Sequence, residues 1–302
     1  MLKNLLNLIG NTPLVELTRM SPKPGIRIFA KLEGQNPSGS VKDRIVLAMV
    51  EKAEQSDLLK PGDTIVEASS GNTGIALAMI GKQKGYKVKV VIPRQVVPSI
   101  EDILSLYEAE IIWCEPVAGM KGAIDLAREH ADMEGHYLLG QFLDFMNIEA
   151  HYSGTGAEIA QALPHVDTFV AGIGTGGTIM GVGKRLREIN PKVKLIGVEP
   201  RLGDQVQGLR SLSEGFIPPL LSLEYLDGRF LVDSANAIET AQAVIKTEGI
   251  LAGVSSGATL SAALRLAERT DEANMVVMFS DGAWKYLPAQ PWAAASNADD
   301  SL

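Results

Sequence analysis

The stretch Asn36-Pro37-Ser38-Gly39-Ser40-Val41-Lys42-Asp43-Arg44 puts an amine where amines are uncommon. Asn36, Pro37 and Gly39 are turn-formers, and Ser40 stands at the position of a helix N-cap. Ile45, Ala48, Met49 and Ala53 then recur near the 3.6-residue period. Lys42 is therefore expected in the first turn of a helix, where exposed N–H groups and the helix dipole disfavour a cation. The same field favours the neutral, nucleophilic form of the amine. Such a lysine is either turned out into water or kept for its chemistry, and the local sequence does not choose.

Three Gly/Ser/Thr-rich loops each open a helix, and the first two directly follow an apolar strand. Backbone N–H donors gathered at a helix N-terminus suit anions. Gly174-Thr175-Gly176-Gly177-Thr178 joins close backbone approach to two hydroxyls, as a phosphate monoester requires. It has neither the Gly-Lys-Ser/Thr ending of a P-loop nor the dinucleotide spacing. Ser69-Ser70-Gly71-Asn72-Thr73 offers N–H groups, three hydroxyls and an amide, suited to a carboxylate and a neighbouring oxygen. The plain alternative is a capped helix start, with Asn72 tolerated in the left-handed region. Val254-Ser255-Ser256-Gly257 is the third loop, with an N-cap as its plain alternative. A phosphate cup, a carboxylate cup and an early lysine together fit pyridoxal 5′-phosphate, which needs a lysine and acts on amino acids.

The elements that must position these groups follow from the apolar pattern. Strands are expected at 26–32, 64–68, 88–92, 109–113, 137–139, 168–171, 194–198 and 275–279. Helices are expected at 41–55, 75–84, 99–107, 122–131, 152–162, 179–189, 236–248 and 258–268. Alternation of this kind, twice over, predicts an α/β protein with two largely parallel sheets and a cleft between them. The stretch 199–228 is too long and irregular for an ordinary connection, and such stretches are more often functional. The tail after Trp292 is expected to fray.

At 302 residues the chain holds one large or two medium domains. A net charge of −8 argues against a nucleic-acid or anionic-membrane surface. One cysteine, Cys114, makes no internal disulfide and is expected to be a small buried hydrophobe. The N-terminus carries no signal pattern and no apolar run reaches a membrane span, so a cytoplasmic protein is expected. His130, His136, His151 and His165 lack metal spacing, so no metal site is indicated.

Four blocks carry a resemblance: Pro37 to Arg44, Ser69 to Ala78, Gly174 to Thr178 and Gly253 to Gly257 are similar to the signature blocks of the cysteine synthase family. Ile9-Gly10-Asn11-Thr12-Pro13-Leu14 and Gln141-Phe142 match too, in the right order over nearly the whole chain. The family consists of fold-type II pyridoxal-phosphate enzymes, tryptophan synthase β-like. The resemblance implies an N-terminal domain at 36–145, and a C-terminal domain of 1–35 plus 146–302 bearing the phosphate loop. Val206 to Arg210, Glu214 to Pro218 and Ala283-Trp284-Lys285-Tyr286-Leu287 resemble the cysteine synthase B branch more closely.

What the resemblance implies for the site is specific. Lys42 would hold the cofactor as an internal aldimine and then remove the α-proton. Asn72 would bond the ring's 3′-oxygen, Gly174, Thr175, Gly176, Gly177 and Thr178 would hold the phosphate, and Ser255 would face the pyridine nitrogen. Adjacent Ser256 leaves that last assignment open by one. A neutral hydroxyl there makes the ring a weaker electron sink and favours prompt β-elimination. Ser69, Ser70, Gly71, Thr73 and Gln141 would bind the substrate carboxylate. The reaction implied is β-replacement on O-acetyl-L-serine or O-phospho-L-serine by sulfide or another sulfur donor, through aminoacrylate, giving L-cysteine. A homodimer is implied as well; the segment Leu2 to Leu8 is expected either at its interface or as a satellite of the core.

Departures from the family pattern bear on substrate. Arg210 resembles a site for an anionic group, a phosphate leaving group or the sulfonate end of thiosulfate. The plain alternative is a surface arginine paired with Asp204 or Glu214. Thiosulfate-using members carry a tryptophan and a cysteine where this chain has Leu212 and Ser280. The Ala283 to Tyr286 segment resembles members that use O-phosphoserine and a sulfur-carrier protein. Where the family has Ser-x-Glu-Arg-Arg and Tyr-Gly-Ala, this chain has Ser99-Ile100-Glu101-Asp102 and Tyr107-Glu108-Ala109. Two other readings stay open. One is a serine/threonine dehydratase or cystathionine β-synthase-like enzyme, for whose added regulatory domain a chain of this length leaves no room. The other is a catalytically silent homologue serving as a binding partner, which need not keep Lys42.

Overall fold

Short β-branched runs and amphipathic stretches alternate along the chain, and in the computed structural model they become strands and helices in the same order. Residues 4–93, 97–115, 117 and 119–289 are described. Strands β1 (Leu14–Glu16) and β2 (Ile26–Leu32) precede helix α1 (Lys42–Gln55). Then come β3 (Thr64–Ala68), α2 (Asn72–Lys84), β4 (Lys87–Pro93), α3 (Pro98–Leu106), β5 (Glu110–Cys114), α4 (Gly119–Ala131) and β6 (His136–Leu138). Helix α5 (Met146–Ala150), a π-helical segment (His151–Gly156) and α6 (Ala157–Ala162) run on without a break. They lead to β7 (Thr168–Gly172), α7 (Gly177–Ile189), β8 (Lys194–Pro200), β9 (Gly228–Val232), α8 (Ser234–Glu248), α9 (Val254–Glu268) and β10 (Ala273–Phe279).

The chain divides into two units, Met1–Ile9 with Asn36–Asn147, and Gly10–Gln35 with Ile148–Leu302. The first nine residues thus group with the first unit, whereas the sequence reading set them with the second. The cause is the 3-10 turn Leu5–Leu8, which packs on α2. Leu2 and Lys3, and the tail after Trp292, lie outside the described residues.

The first unit holds a four-stranded parallel sheet in the order β5-β4-β3-β6. Its central strand β3 is buried throughout, as a parallel strand covered on both faces must be. Val66 and Ala68 pack with Val91, Cys114, Ala123 and Ala127 against α4, so Cys114 is the buried small residue expected.

The second unit holds a six-stranded sheet, β1-β2-β10-β7-β8-β9, parallel apart from the antiparallel β1–β2 pair. Alternation along β10 splits its side chains between two cores. Met275, Val277 and Phe279 face the residues of α8 and α9, while Val276 and Met278 face Ile159, Ile179, Val182 and Leu186 of α6 and α7.

Five differences from the sequence reading stand out. Strand β9 was not anticipated, because its alternate exposure hides a short edge strand after an irregular stretch. Helix α9 begins at Val254, not 258, so Ser255 and Ser256 lie in its first turn. Gly257 suggested a turn but is a contact glycine, since a Cβ there would come within 2.0 Å of Ala237 O on α8. Helix α2 begins at Asn72, which is therefore helical and not left-handed. And the helix expected at 152–162 starts six residues earlier and contains the π-helical segment.

Candidate active site

In the first unit, the loop before α1 is tied down by a buried carboxylate. Asp43 Oδ2 accepts from Ser38 N–H at 2.8 Å, and Oδ1 accepts from the Ser38 hydroxyl. Gly39 turns the chain at φ +85°, and its N–H donates to Asn36 O at 2.8 Å. Ser40 Oγ accepts the Lys42 N–H at 3.3 Å, which is a capping bond although the assigned N-cap is Val41. Lys42 is half-buried at the first position of α1, as expected. Its backbone therefore sits at the electropositive end of the helix.

The Ser69–Thr73 loop leaves β3 and enters α2 at once. Ser69 is buried, and its hydroxyl accepts from Gly71 N–H at 3.2 Å and Gly74 N–H at 2.9 Å. Ser70 is exposed, Gly71 and Asn72 are half-buried and Thr73 is buried. The Thr73 hydroxyl donates to Gln141 Oε1 at 2.7 Å, so the structure brings these two expected carboxylate ligands together across 68 residues. Gln141 Nε2 donates in turn to Ala68 O at 3.0 Å.

Behind them stands Glu67, a residue the motif reading passed over. It is buried, and its carboxyl accepts from Gly140 N–H at 2.7 Å, Ala68 N–H at 3.0 Å and Gln141 N–H at 3.1 Å. Burial pushes its pKa up to about 7, with the surrounding donors offsetting part of the effect. A charged residue inside a strand that is otherwise buried throughout was the available signal.

In the second unit, the 174–178 loop leaves β7 and enters α7. Gly176 is the helix N-cap in the left-handed region, φ +88°, and a Cβ on it would lie 2.8 Å from Leu221 Cβ. Only glycine fits there. A Cβ on Gly174 would meet Gly208 O at 3.0 Å, so one side of the loop is pressed against the 206–221 stretch. Thr175 is buried and Thr178 half-buried.

Arg210 is anchored beside this loop, its N–H donating to Ile173 O at 2.8 Å. The guanidinium is half-buried against the Phe216 ring, 5.8 Å from the centroid. Burial draws its pKa down, partly opposed by Glu214. Asp204 is engaged by Ser234 N–H at 3.0 Å and Gln205 N–H at 3.1 Å.

Ser256 is fully buried, and its Oγ has no hydrogen-bond partner among the described residues. Ser255 keeps 4% of its surface, so both residues are buried. The start of α9 is held from behind. Gly253 N–H donates to Asp281 O at 3.0 Å, and Asp281 Oδ2 takes the Tyr286 hydroxyl at 2.5 Å and Lys285 Nζ at 3.1 Å. Lys285 and Tyr286 of the 283–287 segment therefore point inward, while Trp284 is exposed.

The donor chemistry suits pyridoxal phosphate. Two hydroxyls at a helix N-terminus, on a loop whose Gly176 is packed too closely against Leu221 to carry a Cβ, match a phosphate dianion. The loop and the Ser255 hydroxyl at the start of α9 belong to the second unit, and Lys42 opens α1 in the first.

Comparison with known proteins gives the same answer independently. Residues 5–281 match the family described as pyridoxal-phosphate dependent enzyme. Cysteine synthase of Staphylococcus aureus (strain N315) is 41% identical over 283 residues, 91% of either chain. Cysteine synthase B of Escherichia coli (strain K12) is 41% identical over 280 residues, 92% of either chain. Among solved structures, O-ureido-L-serine synthase superposes with a TM-score of 0.93 at 34% identity, covering 100% of this chain and 98% of that one.

Proposed function

This chain belongs to the family of pyridoxal-phosphate dependent enzymes, and from that premise we propose how its residues divide the work of a cysteine synthase. It is a pyridoxal-phosphate dependent cysteine synthase. When bound, the cofactor supplies an electron sink for a carbanion at the amino acid's Cα.

Lys42 holds the cofactor and afterwards carries the α-proton on Nζ. Gly174 to Thr178 hold the phosphate through backbone N–H groups and the Thr175 and Thr178 hydroxyls. Asn72 bonds the ring oxygen, and Ser255 offers a neutral hydroxyl to the ring nitrogen. Ser69, Ser70, Gly71, Thr73 and Gln141 take the substrate carboxylate. The Ser69 hydroxyl already occupies the N–H groups of Gly71 and Gly74, so a carboxylate must displace it or bind beside it. That exchange supports a loop that moves when an amino acid arrives and excludes water from the reacting carbons.

The net change breaks the Cβ–O bond of an activated serine and forms a Cβ–S bond, releasing acetate or phosphate. We assign Arg210 to the anionic part of the reaction, either O-phospho-L-serine or the sulfur donor. The observation that carries this is its position, bonded to the residue before the phosphate loop and partly desolvated on Phe216. O-ureido-L-serine synthase has the same scaffold. Sulfide, or a thiocarboxylate on a carrier protein, is the donor in this reading, and a cytoplasmic homodimer is its setting.

Purified protein is expected to be yellow, with Lys42→Ala colourless and at least about 10³-fold slower in forming L-cysteine. A colourless wild type sinks the assignment of Lys42. Arg210→Ala is expected to lower kcat/KM for O-phospho-L-serine about tenfold or more, with O-acetyl-L-serine little changed. An equal loss on both esters retires that role.

A further inference from the structure

His151 is fully buried at the first position of the π-helical segment. Its Nδ1 lies 2.9 Å from Thr155 Oγ1, one turn along the same segment. Its Nε2 lies 3.1 Å from Thr178 Oγ1, at the second position of α7 and the last of the phosphate loop. The two elements meet through glycine. A Cβ on Gly181 of α7 would fall 2.3 Å from Ile148 O and 2.7 Å from His151 Cβ, and one on Gly156 would fall 2.8 Å from Arg185 Cβ. π-Helical segments are rare and concentrate at functional sites. This one carries a buried imidazole to the loop.

We propose that His151 is a positioning residue for the phosphate loop, its Nε2–H pointing at Thr178 Oγ1 so that the Thr178 hydroxyl keeps its own proton for a phosphate oxygen. The argument is one of donors and acceptors. A neutral imidazole has one N–H and one acceptor nitrogen. Thr155 can donate its hydroxyl proton to Nδ1, which leaves Nε2 as the donor to Thr178. The opposite tautomer would draw the Thr178 proton onto Nε2 and turn only lone pairs towards an anion that offers only acceptors. A threonine hydroxyl alone rotates to suit its surroundings; here the histidine fixes its direction before the ligand arrives. This deepens the reading of residues 174–178 as a phosphate cup and rests on it.

The test is a thermodynamic cycle on cofactor retention. Holoenzymes are dialysed against graded pyridoxal phosphate and the bound fraction is read as visible absorbance. Thr178→Val is expected to weaken retention about tenfold, the effect of losing one charge-assisted hydrogen bond. His151→Gln extends an amide N–H to roughly the reach of Nε2 and is expected to stay within about threefold of wild type, and His151→Asn, which reaches only as far as Nδ1, to lose about as much as Thr178→Val. In a Thr178→Val background, His151→Asn is expected to add nothing further. Additive losses would show that His151 acts through packing alone and overturn the proposal, as would unchanged retention in His151→Asn. No effect of Thr178→Val would instead refute the phosphate role of Thr178 itself. Should His151→Asn fail to fold, 15N-histidine spectra of the wild-type holoenzyme decide. The signal lost in His151→Gln must show the Nε2–H tautomer, and an Nδ1–H pattern overturns the proposal.

Discussion

The Ser69–Thr73 loop in one unit and the Gly174–Thr178 loop in the other are built on the same plan, a buried parallel strand running into a helix N-terminus. They are held in opposite ways. The first is rich in side chains that bond to each other: Ser69 caps its own helix, Thr73 locks onto Gln141, and Glu67 stands beneath. The second is shaped by glycines against 206–221, with Gly177 N–H donating to the Thr175 hydroxyl at 3.4 Å and the Thr178 hydroxyl steered from outside by His151. The difference suits the ligands assigned to them. A cofactor phosphate stays, so a cup fixed by closely packed glycines suits it. A substrate comes and goes, so a loop whose donors are satisfied internally when empty avoids stranded polar groups.

Breaking the second loop should cost most. Gly176→Ala places a Cβ at φ +88° and 2.8 Å from Leu221. It is expected to destabilise the second unit by about 3 kcal/mol and to abolish cofactor retention. Thermal unfolding and visible absorbance read the two effects. Retention close to wild type would show that the cup is not shaped by its backbone.

Glu67 tests whether the first loop depends on its buried acid. Its folded pKa, about 7, lies above the ordinary 4.5. The folded state therefore binds the proton more tightly than the unfolded one, so this contribution is complete below about 4.5 and is lost as pH rises through about 7. The shift corresponds to about 3 kcal/mol over that window. Glu67→Gln, neutral at every pH, is expected to flatten the fall in denaturation midpoint between pH 5 and 7. An unchanged slope would mean that another group titrates there.

Ser69→Ala should have the smallest effect and the most selective. Removing the cap is expected to cost about 1 kcal/mol and raise KM for the activated serine severalfold, with cofactor content unchanged. A loss of cofactor equal to that in Gly176→Ala would erase the distinction between the loops.

How much of this was legible beforehand depended on distance along the chain. Strand β3 was delimited at 64–68 by its compact apolar run, and β2 at 26–32 by Ile26 and Ile28 flanking Arg27. Gly174 to Thr178 could be read as a candidate phosphate cup because the needed groups are consecutive. Helix starts were misplaced by up to six residues wherever a glycine stood near them, because Gly257 serves a neighbouring helix and not a turn. Glu108 is a further case. It takes the position where the family resemblance implies glycine, and it is held at φ +62°, paired to Lys82.

The sequence by itself determined the α/β class, the order of the elements, the three helix-opening loops and, through them, the cofactor. Those features are written in contiguous residues, where period and turn chemistry act locally. Only the tertiary structure decided that Thr73 meets Gln141 across 68 residues and that His151 reaches Thr178 across 27. Such pairings depend on which glycine faces let two elements approach and on which strand leaves a carboxyl buried beneath a loop. The same histidine that shows no metal spacing in the sequence becomes, once α7 and the π-helical segment pack, the group that aims a hydroxyl of the phosphate cup.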